Sequence, residues 1–266
     1  MIEFIKYVIL GIIQGISEIL PISSSGHLII FSKILNVNIE ALPIFLIITN
    51  IGSFLALMIF FRKDIANLSS GTWKYLVKRD ESTKEDFYYV LKLFIAIIPI
   101  GVMGLLFKDI IRQDLFTIGF SLIITAIMLF VIYKSKDIQW KNEISFKHAL
   151  VMSVFQMFAL VPGISRSGFT MSGGLIQKLD IKKVIRFSFL SYILISIPIT
   201  LLGIYDLFHT SESIHLYGYV AAFIMSFTFS LITVKWIYKL VTVRNLLYFS
   251  IYLVIMGGLS IALFYL

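Results

Sequence analysis

Long apolar runs separated by short polar segments dominate this 266-residue chain. A membrane-spanning helix takes about 20 mainly apolar residues. Six stretches meet that requirement: 41–61, 88–107, 115–133, 187–205, 217–234 and 246–266. Two further apolar stretches, 5–34 and 149–178, are interrupted. Pro21 and Pro162 each remove a backbone donor and break a helix. The serines and glycines that follow are poor helix interior. Non-helical backbone is tolerated at membrane depth only inside protein or beside a wet cavity. Each interrupted stretch therefore reads as a re-entrant helix hairpin that enters and leaves on one side. The predicted fold is all-α: one polytopic membrane domain, 1–266, with six transmembrane helices plus two re-entrant hairpins.

Composition supports this class. The chain is 59% hydrophobic and 14% charged, where a soluble domain is near half apolar and about a quarter charged. There is no cysteine, which excludes disulfides and a thiolate zinc site. The start, Met1-Ile-Glu-Phe-Ile-Lys6, has no basic leader and no small-residue cleavage site, so it reads as retained. The net charge of +8 reports loop orientation. No basic run interleaved with aromatics points to nucleic acid. With both hairpins re-entrant, one side of the membrane carries six Lys/Arg in 62–87, four in 134–148, four in 178–186 and three in 235–245. The other side carries Lys6, Lys33, Lys108 and Arg112. That bias makes the first side cytoplasmic. Trp140, Trp236 and Tyr238 read as interfacial anchors. The first hairpin then dips in from outside and the second from the cytoplasm, so their tips meet near the midplane. This is the layout of an inverted repeat, with approximate halves 1–133 and 134–266. Ser23 and Ser165, 142 residues apart, mark its register.

The chemistry sits in the two interruptions. One reads Gln14-Gly-Ile-Ser-Glu18-Ile-Leu-Pro21-Ile-Ser23-Ser24-Ser25-Gly26-His27, the other Pro162-Gly163-Ile-Ser165-Arg166-Ser167-Gly168-Phe169-Thr170. Each holds one charge remote from others in the sequence, and such a charge at membrane depth is a functional candidate. Gln14 and Glu18 are four apart and share a helix face. Glu18, with Gln14 as a neutral oxygen ligand, suits a hard divalent cation such as Mg²⁺. Arg166 offers a planar fork for phosphate. Broken helix starts add free N–H groups and a positive dipole end. A serine could attack phosphorus, with His27 moving the proton. The structural alternatives are plain. Serines and glycines pack membrane helices, His27 could be a packing residue, Gln14 could be interhelical glue, and Glu18 and Arg166 could form a mutual salt bridge. His148, His209 and His215 lie at predicted loops and receive no role.

At these residues the chain resembles the undecaprenyl-diphosphate phosphatase family of the bacitracin-resistance type. That family is marked by Glu/Gln-x-x-x-Glu running into Pro-x-Ser-Ser-x-Gly-His, and by Pro-Gly-x-Ser-Arg-Ser-x-x-Thr. Gln14, Glu18, Pro21, Ser23, Ser24, Gly26 and His27 supply the first motif; Pro162, Gly163, Ser165, Arg166, Ser167 and Thr170 supply the second. The resemblance implies hydrolysis of undecaprenyl diphosphate to the monophosphate at the outer face of the bacterial plasma membrane. It implies a divalent cation, Mg²⁺ or Ca²⁺, and a role in recycling the lipid carrier of wall synthesis. It casts Glu18 as the essential carboxylate, Ser24 as nucleophile, His27 as proton carrier and Arg166 as phosphate clamp. Gln14, Ser23, Ser165, Ser167 and Thr170 would line the substrate site, with Gln14 and Glu18 at the metal. The chain departs from the pattern at Gln14, commonly a carboxylate; at Asn50, commonly Gln; and at Arg186, commonly Glu. The expected partners are the bilayer and a prenyl diphosphate lipid, with a homodimer as a further expectation. The rival reading is a prenyl-phosphate flippase, because inverted repeats with broken midplane helices also build transporters.

Overall fold

A computed structural model describes residues 2–37, 42–107, 114–135, 143–209 and 215–266. Ala41, Lys108, Arg112, Lys136, Trp140 and Lys141 lie outside the described residues. The described chain is helical throughout. The first interrupted stretch forms α1 (Ile2–Ile19) and α2 (Ser24–Ile34), and the second forms α7 (Phe146–Met157) and α8 (Arg166–Ile176). Between and after them come α3 (Leu42–Phe60), α4 (Arg62–Lys78), α5 (Lys84–Phe107), α6 (Leu115–Tyr133), α9 (Ile181–His209), α10 (Leu216–Leu240) and α11 (Leu246–Phe264). Among the described residues five helices are long and apolar enough to cross a membrane, and α3 joined to α4 would make a sixth. The chain is thus an all-α polytopic membrane protein. At 11 residues each, α2 and α8 reach about 16 Å, which is too short for a hydrocarbon core about 30 Å thick.

The helices pack in the inverted sense expected for lipid surroundings. On α11 the inward positions include Ser250, Gly257 and Ser260, while Tyr248, Ile251, Val254 and Ile255 face out. Lipid tails are as apolar as leucine, so close backbone approach and hydroxyl bonds hold the helices together. Gly11 and Gly15 of α1 lie against the backbone of Ala222 and Ser226 on α10. Ser226 and Ser230 reach across to the carbonyls of Thr49 and Gly15, and both bond Ser53 Oγ. Pro99 inside α5 cannot donate to the Ile95 carbonyl. Ser153 of α7 donates its hydroxyl to Ile95 and Ala96 instead, at 3.3 and 3.0 Å.

Three features differ from expectation. The segment 62–87 contains a helix, α4, which leaves α3 at a 69° bend. Its polar composition hid it: only Leu68 and Gly71 are buried, with Gly71 against Asp86 at the start of α5. Helices α9 and α10 also run past their apolar cores, because hydropathy finds the buried length and the helix continues into its polar flanks. Tyr238, half-buried, packs edge-on against Phe60 and Phe61, a contact the sequence did not indicate, whereas Trp236 is exposed.

The α1–α10 seam can be tested with glycine. A Cβ on Gly15 would lie 2.6 Å from the Ser226 carbonyl oxygen, whereas one on Gly258 meets nothing within 4 Å. Gly15→Ala should therefore cost about 1–3 kcal/mol by overpacking and lower the unfolding temperature in detergent. Gly258→Ala should not lower it. Equal melting of the two variants would contradict the close seam.

Candidate active site

The two hairpin breaks are built alike. In each, a serine caps the second helix: Ser23 Oγ accepts from Gly26 N–H, and Ser165 Oγ accepts from Gly168 N–H. Ser23 stands at φ 70°, a conformation that costs a non-glycine residue roughly 1–3 kcal/mol. Gly163 has φ 91°, and a Cβ there would meet Ser121 and the Ile118 carbonyl. The tips then pack on each other. A Cβ on Gly26 would lie 3.4 Å from Gly163 Cα, and one on Gly168 would lie 3.3 Å from the Pro21 oxygen. Adding 142 to Pro21 and Gly26 gives Gly163 and Gly168, so the two contacts are equivalent under the register seen in the sequence.

This docking joins the two charges. Arg166 bonds Glu18 Oε1, while Ser24 Oγ donates to Glu18 Oε2 at 2.5 Å and Gln14 Nε2 donates to the same oxygen at 3.0 Å. Glu18 is 9% exposed, so ion-pairing and hydrogen bonding compensate for its burial. Gln14 Nε2 also bonds Asn50 Oδ1 at 2.6 Å, leaving Gln14 Oε1 buried without a partner. The Arg166 guanidinium lies over the Tyr192 ring, 3.5 Å from its centroid. Ser167 donates to the Leu20 carbonyl across the tips, and Thr170 bonds Gln156 Oε1 and the Arg166 carbonyl.

A cavity of about 660 Å³ opens from this cluster. Its polar end holds Glu18, Asn50, Ser23–Ser25 and Ser165–Ser167, and its other walls are apolar, from Ile100 and Gly104 on α5 to Ile195 and Leu202 on α9. The starts of α2 and α8 both border the polar end, so two positive helix termini and Arg166 stand against one carboxylate. That balance favours an anion.

Of the predicted residues, Glu18, Ser23, Ser24, Ser165, Arg166 and Ser167 share the cavity. Gln14 lies behind Glu18 and Thr170 behind Arg166. His27 is elsewhere: its Nδ1 lies 2.7 Å from the Ser23 carbonyl and its Nε2 lies 2.8 Å from Tyr252 Oη. A carbonyl only accepts, so Nδ1 carries a proton and, in the neutral ring, Nε2 accepts from Tyr252. This placement fastens the strained Ser23 instead of reaching Ser24. Sequence reasoning missed Tyr192 because it lies within an uninterrupted apolar span. A signal existed, since Tyr192 stands 142 residues after Asn50.

Removing one member of the ion pair should reveal its weight. Glu18→Gln or Arg166→Gln alone should each cost about 2 kcal/mol, below the usual range because Arg166 reaches the cavity. The double variant should cost clearly less than the two singles combined. Additive losses in a thermal-unfolding cycle would deny the coupling.

Known proteins resemble this chain over almost its whole length. The family described as bacitracin resistance protein BacA matches residues 7–259. An undecaprenyl-diphosphatase of Acholeplasma laidlawii is 48% identical over 273 residues, covering 99% of this chain and 98% of that protein. Undecaprenyl-diphosphatase 1 of Bacillus cereus is 39% identical, with 97% and 96% covered. An undecaprenyl-diphosphatase of Oceanobacillus iheyensis is 36% identical, with 96% and 94% covered. The family match spans both hairpins and every helix that borders the cavity, and on that extent the chain belongs to the bacitracin resistance protein BacA family.

Proposed function

We propose that this protein hydrolyses undecaprenyl diphosphate to undecaprenyl phosphate and inorganic phosphate, recycling the lipid carrier of wall synthesis and opposing bacitracin. The observation that carries the reading is the cavity with two kinds of wall. Its polar end joins a carboxylate, an arginine and serines from both hairpins, and its shaft is apolar. A prenyl diphosphate has the same two-part chemistry. The relatives, named as undecaprenyl-diphosphatases, identify the substrate class.

Arg166 and the starts of α2 and α8 hold the diphosphate. Ser24 is the nucleophile and Glu18 the base, because the Ser24 hydroxyl already donates to Glu18 Oε2. Attack forms an Oγ–P bond as the anhydride P–O bond breaks. The serine proton passes to Glu18 and the prenyl monophosphate leaves. Water then attacks the phosphoserine, and Ser24 regains a proton as phosphate departs. His27 holds the Ser23 carbonyl, and so the start of α2, in place.

The donor set fits a hard divalent cation. Among the described residues there is no cluster of three His, Cys, Asp or Glu, but Gln14, whose Nε2 bonds Glu18, has its Oε1 buried and unpartnered. Glu18 and Gln14 would hold the ion, with phosphate oxygens as further ligands. When bound, it would offset phosphate charge. The charge bias of the loops supports a cavity mouth on the outer face of the plasma membrane. The flippase reading gains nothing from relatives named as phosphatases, nor does it need the Ser24–Glu18 bond.

Purified protein should release phosphate from a long prenyl diphosphate and stop in EDTA. Glu18→Ala and Arg166→Ala should each lower kcat/KM about 100-fold or more. Ser172→Ala should change it less than about twofold, since Ser172 Oγ is buried away from the cavity and bonds nothing. Folded wild-type protein that releases no phosphate with Mg²⁺, Ca²⁺ or Mn²⁺ would sink the proposal.

A further inference from the structure

Six buried side-chain polar atoms among the described residues have no hydrogen-bond partner: Gln14 Oε1, Thr72 Oγ1, Tyr89 Oη, Gln156 Nε2, Ser172 Oγ and Tyr192 Oη. Of these residues only Tyr192 lines the cavity. A buried hydroxyl left unpaired costs about 1–3 kcal/mol, so its retention beside a polar cavity end calls for a ligand. Tyr192 is 6% exposed, and the guanidinium carbon of Arg166 sits over its ring, 3.5 Å from the centroid. That contact limits how the guanidinium can swing and leaves its edge, with the N–H donors, free to meet oxygen. Ser196, one helical turn further along α9, lines the same wall.

We infer that Tyr192 is a phosphate-site residue with two jobs. Its ring is the pedestal that orients Arg166, and its free hydroxyl donates a hydrogen bond to the diphosphate. The chemistry suits the ligand. A phenol offers one neutral donor on a rigid stem, and an anionic phosphate oxygen accepts it in a charge-assisted bond. Ser196 and Arg166 stand near that hydroxyl, but neither makes a hydrogen bond of good geometry with it. This inference rests on the diphosphate reading of the site.

Two substitutions separate the jobs. Tyr192→Phe keeps the pedestal and removes the donor; Tyr192→Leu removes both. With full-length protein in detergent, kcat and KM are measured on a prenyl diphosphate, and inorganic diphosphate affinity is measured by competition and by direct binding. Tyr192→Phe should weaken diphosphate binding and raise KM about tenfold, as expected for loss of a hydrogen bond to a charged group, with kcat changed less. Tyr192→Leu should also lower kcat, because Arg166 loses its orientation. Unchanged KM and diphosphate affinity in Tyr192→Phe would overturn the hydroxyl assignment. Unchanged kcat in folded Tyr192→Leu would overturn the pedestal. Direct binding keeps the two readings apart. Wild-type protein that binds diphosphate but hydrolyses nothing would refute the phosphatase reading and leave the Tyr192 contact testable in the same assay.

Discussion

The ion pair between Glu18 and Arg166 is the interaction around which the hairpins are organised. An isolated charge at membrane depth is costly, and each hairpin carries one. Neither hairpin alone can supply the counter-charge, so the pair favours docking of the two tips. The glycines make that docking geometrically available, since a Cβ at Gly168 would lie only 3.3 Å from the Pro21 carbonyl oxygen of the other tip. Once docked, the pair does not close the site. Ser24 and Gln14 use the other oxygen of Glu18, and Arg166 still borders the cavity. A charge pair that only fastened the tips would not need to face an open, hydroxyl-lined space.

Around this point the packing is permissive in one direction and strict in another. Outward positions need only be large and apolar, as on α11. Inward positions combine large apolar side chains such as Phe61 and Leu122 with small residues at close approaches and hydroxyls that find a carbonyl, as Ser153 does for the backbone freed by Pro99. Strict positions occur where α1 meets α10, where α6 meets α11 and where the tips meet. The rigidity this gives matters for the proposed chemistry, in which Ser24 is held within reach of Glu18 before substrate arrives.

Much of this was legible in the sequence for physical reasons. Apolar runs of spanning length must become helices, because the bilayer core offers no water to backbone groups. Proline followed by a dense run of serines and glycine marked a break, whereas the more isolated Pro99 and Pro198 sit inside continuous helices. Glu18 and Arg166 stood out because charge is rare there. What was not legible depends on direction in space. Helix α4 is too polar for a hydropathy signal, and nothing in the sequence says that the chain turns sharply at Phe61. The direction of the His27 ring follows from Ser23 and Tyr252, the latter 225 residues away. Tyr192 carries no charge and sits in an apolar run, so only its relation to Asn50 could have singled it out.

That relation exposes how the site departs from its own symmetry. Under the 142-residue register Gln14 corresponds to Gln156, Ser24 to Arg166, Glu18 to Leu160, and Asn50 to Tyr192. The scaffold contacts obey the register, as the Pro21–Gly168 and Gly26–Gly163 approaches do, but the chemical residues do not. At the first position of the second helix one arm has a hydroxyl and the other a guanidinium, and one carboxylate serves both. Its counterpart, Leu160, lines the cavity instead. Glutamate there would place a second anion where a lipid diphosphate must approach, with no second arginine to balance it. A symmetric frame supplies two helix starts that point at one place. Breaking the symmetry with unlike side chains gives one start a hydroxyl and the other a guanidinium, which under the proposed reading leaves a single diphosphate one productive way to sit.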